Sequence, residues 1–579
     1  MGKESFYKKC IAIILVGVMA LAIAGCGAVI TKDEGTISSE QTTPASNQAD
    51  VENTNQGNEN HVEKEIRAQD DFYGYVNKDT LLGYTLDYRD SGAGYMYEIQ
   101  DEIDKEIYTM IESILNSKEI YEKGSNEWVV RETYYQINEY LKDKKSNAKS
   151  DYIEFVKQVN EIDNLDQAFA MFRELKEHYG VFDIIPFDVE EDYRNSEKYA
   201  IYVWQNTSYQ DYDLKSIYEN NSTRKQVKNY VVDMLVMSGK SVEEAEVSAE
   251  DFLYYIADVA CETDYSLQES AGFYDDLKCM TDEELDCLLE NISMAQFEKG
   301  LNLNNPDKVW YIQDEIQFAA TMNMFDEENI ELLKTFLICS YTYEFNTFLI
   351  DDYPVLNAYT SGFDEKDTTL VNELMVRTLG TQISELYAKY YFTEEMETQL
   401  LRMKQDITVG YEQLICEADW ISEEGKKGLL DKLHNMRFIY GGGESQIQKK
   451  DNIAILGSNY YETYINSKAL SISDFEKKIG TKPDPKVTGM TSNTLNAMYT
   501  PSNKITITVG IMHAPYFDVN ASYEENLGGL GMVIGHEMGH AFDSNCMKFD
   551  ANGNYNEEWL PEEDRVALAK HYSRWTGNS

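Results

Sequence analysis

Ile99, Ile103, Ile107, Ile111, Ile114 and Leu115 recur at helical intervals, with Glu98, Asp101, Glu102, Asp104 and Lys105 mostly off their line. That spacing gives a helix one apolar face that must be buried against something else. Similar patterns return from Asn164 to Glu177, Gln226 to Met237, Glu328 to Leu349 and Val371 to Tyr391, and only 9 Pro interrupt 579 residues. A chain of this kind is a large helical body, its faces packed on one another, and no fixed-period repeat arranges them as a solenoid. Further on, Ser422 reads as an N-cap with Glu423 and Glu424 in the first turn, ahead of Leu429, Leu430, Leu433 and Met436. Lys432, His434 and Arg437 suit the C-terminal half of that helix by their charge.

The texture changes after Tyr440, where Gly441-Gly442-Gly443 and Pro483-Asp484-Pro485 punctuate the chain. Loops and strands are expected there. Ile505-Thr506-Ile507-Thr508-Val509 alternates as a half-exposed strand does, and it follows Asn496-Ala497-Met498-Tyr499 across a Pro501-Ser502-Asn503 turn. A two-stranded unit is the simplest expectation.

The 51 basic residues stand against 102 acidic ones, for a formal charge of −51. Such a surface repels phosphate backbones and argues against nucleic acid as a partner. At the start, Lys3, Lys8 and Lys9 precede an apolar run from Ile11 to Ala24 that ends in Ile23-Ala24-Gly25-Cys26. This resembles a bacterial lipoprotein signal, which implies a signal peptide over 1–25 and a lipidated Cys26 anchoring the protein to the cell membrane on its extracytoplasmic side. The alternative, an uncleaved N-terminal anchor, also leaves the body outside the membrane. From Gly27 to Ala68 there is no aromatic residue, so 26–68 reads as a flexible tether. Cys261, Cys279, Cys287, Cys339, Cys416 and Cys546 contain no Cys-x-x-Cys pair, and their pairing stays open.

The chemistry lies in Val533-Ile534-Gly535-His536-Glu537-Met538-Gly539-His540. Two histidines four apart on a helix share a face at a separation suited to a tetrahedral zinc ion, with Glu537 beside them to handle the proton of a water. Zinc lowers the pKa of such a water to about 7, and a carboxylate can carry its proton to a leaving amine. Chance would supply this pattern about once in a hundred such sequences, and an apolar helix would bury the three groups at a cost unless a cation compensated them. Asp543 lies three residues past His540, placed to orient its imidazole or to end the helix as a turn residue.

These residues, with others in order along the chain, resemble the neprilysin family of zinc metallopeptidases. Asp71-Phe72-Tyr73-Gly74-Tyr75-Val76-Asn77 is similar to the family's opening motif, and Trp420-Ile421 through Lys426-Lys427 and Lys432-Leu433 to its mid-chain helix. Gly489-Met490-Thr491 to Asn496-Ala497-Met498-Tyr499 resembles the approach to its substrate strand. The resemblance implies a mainly α, two-lobed architecture with a small thermolysin-like β element, divided into a helical region over 69–450 and a catalytic lobe over 451–579. It makes His536 and His540 zinc ligands, Glu537 the catalytic base, Asp543 their supporting partner, and Asn496 and Ala497 the holders of substrate backbone. Asn496 can offer a donor and an acceptor to an extended peptide, although alone it would read as a turn residue. His513 matches no family ligand and reads as a surface or packing histidine. Oligopeptides are the implied substrates.

The family's third zinc ligand is a Glu in a downstream Glu-x-x-x-Asp helix, and none of Glu557, Glu558, Glu562 or Glu563 has Asp four residues on. The catalytic lobe is therefore expected to stop short, to hold zinc weakly and cleave feebly, and to gain from a complementing C-terminal segment. The alternative function is a catalytically silent, lipid-anchored peptide-binding protein or one half of a split enzyme.

Overall fold

The Ile99 stripe forms the helix Tyr95–Asn116, which buries Ile99, Ile103, Ile107, Met110, Ile111 and Ile114. It belongs to a computed structural model that describes residues 67–84, 94–143, 146–210, 212–269, 274–303, 305–349, 368–443, 447–487 and 489–576. The leader, Cys26 and nearly all of the tether lie outside the described residues. Contacts divide the chain between Glu98 and Ile99 into two units. The first carries the helix Phe72–Gly83, whose N-cap Asp71 accepts from the Gly74 N–H. The second carries the sheets and the remaining helices.

Local chemistry sets the helix starts in the second unit. Asn164 caps Leu165–Glu177 through the Gln167 N–H, and Ser422 caps Glu423–His434 through that of Gly425. Such caps satisfy backbone donors that a helix start otherwise leaves bare. The other stripes form Asn221–Met237, Ile330–Leu349 and Thr368–Tyr391.

Two large apolar cores define two lobes within this unit. The larger gathers the helical segments from Ile99 to Leu349 with Thr368–Tyr391 and Tyr460–Lys478, while the smaller is built around Leu400, Leu429, Ile505, Leu530 and Ile534. The chain thus leaves the larger core after Tyr391, builds part of the smaller one, and returns. A third cluster joins Tyr193, Tyr202 and Tyr311 to Phe549, and the Tyr555 N–H donates to the Tyr193 carbonyl at 2.6 Å.

The larger lobe holds a sheet that helical periodicity conceals, in the order β1-β2-β6-β5 with β1 Phe187–Asp192, β2 Asn195–Val203, β5 Lys278–Met280 and β6 Trp310–Ile312, and a separate pair of short strands, β3 Ser208–Tyr209 and β4 Tyr212–Asp213. The smaller lobe corrects the two-stranded expectation. β7 Arg437–Tyr440 runs parallel to β9 Lys504–Ile507, and β8 Ala497–Thr500 pairs antiparallel on its other side. Arg437 therefore lies in a strand, because the helix stops at His434. Strand β9 is also not half-exposed: all four residues are buried, since it is central in the sheet. Its polar continuation is buried with partners, the Thr508 hydroxyl lying 2.6 Å from the Thr494 carbonyl oxygen and 2.7 Å from that of Asn496. Alternation in sequence reflects the pleat, while exposure depends on what covers each face.

Candidate metal and catalytic site

The helix Leu530–His540 turns its apolar side, Leu530, Ile534 and Met538, into the smaller core. Its entry is held by the Leu530 N–H, which donates to the Tyr516 carbonyl at 2.6 Å, and its middle by Tyr411, whose hydroxyl donates to the Gly535 carbonyl at 2.8 Å. Packing at both points fixes the face that carries the histidines.

On that face His540 Nε2 and His536 Nε2 converge to 3.1 Å. Two nitrogens on a tetrahedral zinc, with bonds of about 2.05 Å, stand about 3.3 Å apart. His540 Nδ1–H donates to Asp543 Oδ2 at 2.7 Å, which leaves Nε2 as the lone-pair nitrogen on the neutral ring. The other oxygen of Asp543 accepts from the N–H groups of Asn545 at 2.9 Å and Cys546 at 2.8 Å. Asp543 thus meets the imidazole with one oxygen and braces the turn after the helix with the other. The hydrogen bond to Asp543 raises the His540 pKa.

Glu537 is only 6% exposed, and its Oε2 accepts from the Tyr499 N–H at 2.7 Å. Burial pushes its carboxyl above the usual carboxylate range, opposed by His540, the Tyr499 N–H and His536. Among the described residues, His536, Glu537 and His540 are the group whose ligand atoms gather within 4.8 Å. Imidazole and carboxylate donors suit zinc. Glu557 instead meets the Tyr555 hydroxyl and Arg565, and neither it nor Glu558, Glu562 or Glu563 joins that group.

Strand β8 is the outer strand of its sheet, and the Tyr499 N–H points away from β9 toward Glu537. By the two-residue period of a strand, the peptide groups of Ala497 face the same side. Asn496 Oδ1 accepts from the Ala497 N–H at 2.9 Å, so the side chain singled out for substrate lies against its own strand. His513 is not a surface histidine. It is largely buried, with Nε2 3.1 Å from Glu106 Oε2 and Nδ1 3.0 Å from the Gly510 carbonyl.

Three features of the site escaped sequence reasoning. The Tyr499 N–H is a backbone group and has no signature. Met532, an apolar residue 64% exposed, stands one turn before His536, and only a helical projection could have drawn attention to it. Lys432, in the last turn of its helix, is fully buried, because the segment after His540 folds over it.

A mainly helical two-lobed body carrying this motif defines a neprilysin-like metallopeptidase fold. The sequence matches the two parts of Peptidase family M13, over residues 68–442 and 496–574, and the chain belongs to that family. Zinc is the cofactor this family supports. A neutral endopeptidase of Lactobacillus helveticus is 24% identical over 517 residues, 86% of this chain and 78% of that protein. One from Lactococcus lactis is 26% identical over 282 residues, 48% of this chain; the match spans 45% of that relative's length. The zinc metalloprotease Zmp1 of Mycobacterium tuberculosis, solved with an inhibitor, shares the fold at a TM-score of 0.71 and 18% identity, over 88% of this chain and 78% of that one. PepO from Lactobacillus rhamnosis does so at a TM-score of 0.69 and 17% identity, over 87% and 80%.

Proposed function

We propose that this chain is an extracytoplasmic zinc metalloendopeptidase acting on oligopeptides. One observation carries the reading: the carboxylate beside the paired imidazoles is tied to the edge strand on which a peptide would lie. An extended peptide adds to the open side of β8 through main-chain hydrogen bonds, with Ala497 and Asn496 as its holders. Zinc, when bound by His536 and His540, supplies Lewis-acid polarisation of water and of the scissile carbonyl. Glu537 takes the proton of the attacking water and delivers it to the leaving amine. Asp543 keeps His540 in the tautomer that offers Nε2, and the Tyr499 N–H aims the Glu537 carboxylate. The test is hydrolysis of a quenched-fluorescent oligopeptide at saturating zinc. Activity sensitive to chelator and to His536→Ala supports the reading, and peptide binding without any hydrolysis favours the silent binding protein.

We also propose anchoring through lipid on Cys26, supported by the basic and apolar leader that ends at this residue. Cys26→Ala should release the protein or leave its leader uncleaved. An unchanged mature N-terminus and unchanged detergent partitioning would count against it.

A further inference from the structure

Lys432 is 0% exposed, and no carboxylate meets its ammonium within salt-bridge distance among the described residues. A buried ammonium is costly unless its donors are satisfied. Its Nζ donates to the carbonyls of Cys546 at 2.7 Å and Phe549 at 2.6 Å, with the Trp559 ring 5.1 Å away. Burial lowers its pKa to about 8.

Both acceptors lie in the loop that follows the metal-binding helix. The same loop grips Asp543 from within: the N–H groups of Asn545 and Cys546 donate to Asp543 Oδ1, and the Met547 N–H donates to the Asp543 carbonyl at 2.9 Å. Cys546 is therefore held from two sides, its N–H by Asp543 and its carbonyl by Lys432. A second anchor ties the base of this arrangement to the substrate hairpin. Asn503 Nδ2 lies 2.9 Å from the Lys432 carbonyl and 2.9 Å from that of Ala551, and the Tyr499 hydroxyl donates to Asn503 Oδ1 at 3.1 Å.

We propose that Lys432 is a positioning residue for the metal site, holding the 544–549 loop so that Asp543 stays on His540 Nδ1–H and Nε2 keeps its direction. The inference rests on reading His536 and His540 as metal ligands. An apolar residue would fill the same space without holding the carbonyls: that of Phe549 would lose the Lys432 donor, and that of Cys546 would keep only the Phe549 N–H at 3.1 Å.

The test is a double-mutant cycle on cobalt(II) and zinc affinity of the full chain, with the Nδ1–H resonance of His540 as a metal-free readout. Lys432→Met should weaken metal binding about tenfold, on the low side of the 10- to 100-fold typical of groups supporting a ligand. It should also shift or broaden the Nδ1–H resonance. In an Asp543→Ala background the same substitution should change affinity less than about twofold, because its route to the metal is gone. Glu344→Gln, in the other lobe, should lower stability without moving affinity. If Lys432→Met does not fold, Lys432→Gln, which keeps one donor arm, carries the same comparison. Unchanged affinity and resonance would overturn the inference, as would a full effect persisting without Asp543. Wild-type metal binding by His540→Ala would instead overturn the site reading, and the resonance alone would then judge Lys432.

Discussion

The backbone N–H of Tyr499, on the outer strand β8, donates to Glu537 Oε2 at 2.7 Å. The bond joins the strand along which a peptide would lie to the carboxylate that would move its protons. It also sets a reach that a shorter side chain cannot match. Glu537→Asp should therefore keep the fold and the paired imidazoles yet lower kcat about 100-fold, the scale of general acid–base catalysis. Steady-state kinetics at equal zinc occupancy check this, and an unchanged kcat would show that the contact does not aim the base.

Asp543 meets His540 Nδ1, so on the proposed reading it would act on the metal through that imidazole. Asp543→Ala should weaken zinc binding about 10- to 100-fold. Competition against a chromophoric chelator measures the change, and affinity within twofold of wild type would leave Asp543 as a turn residue only.

Glu344, in the larger lobe, is 16% exposed and lies 2.8 Å from Lys468 Nζ and 3.4 Å from Arg377 Nη2. Burial opposes its charge, but Lys468 and Arg377 prevail and hold its pKa below the ordinary value. A depressed carboxylate stabilises the fold above its unfolded pKa of about 4.3, and that contribution disappears as pH falls through the folded value. Glu344→Gln should cost about 2 kcal/mol at pH 7, judged from hydrogen bonds to charged groups. The gap to wild type should close toward pH 3 in urea unfolding. A gap independent of pH would mean that the loss is one of packing.

Gly529 precedes the helix Leu530–His540 with no room for a side chain, since an added Cβ would lie 2.2 Å from the Tyr516 carbonyl oxygen. That oxygen accepts the Leu530 N–H that starts the helix. Gly529→Ala should therefore destabilise the protein by about 1–3 kcal/mol, the range for an overpacked site. Thermal unfolding measures it, and a neutral result would show that the 515–517 loop can yield.

Much of this molecule could be read from its sequence. The Ile99 stripe, the caps Asn164 and Ser422, and the pairing of His536 with His540 are local features, and local spacing encodes them. Lys432 sits in the last turn of its helix as its charge implies, but its burial was not legible, because a charge near a helix end looks the same whether solvent or a distant loop covers it. β7 was missed because Arg437 continues the texture of the preceding helix, and its partner β9 is more than sixty residues away. The burial of Thr506 and Thr508 followed the same logic, since only a third strand makes β9 central. The Tyr499 contact is carried by a backbone atom and is invisible to any reading of side chains.

The central claim is that Glu537 drives peptide hydrolysis at a zinc held by His536 and His540. The most direct test is the hydrolysis rate of an internally quenched oligopeptide by wild type and Glu537→Gln, each at saturating zinc with occupancy measured in the same samples. The account predicts similar zinc occupancy and a rate at least about 100-fold lower in the variant. Equal rates at equal occupancy, or no zinc-dependent hydrolysis by the wild type, would contradict it.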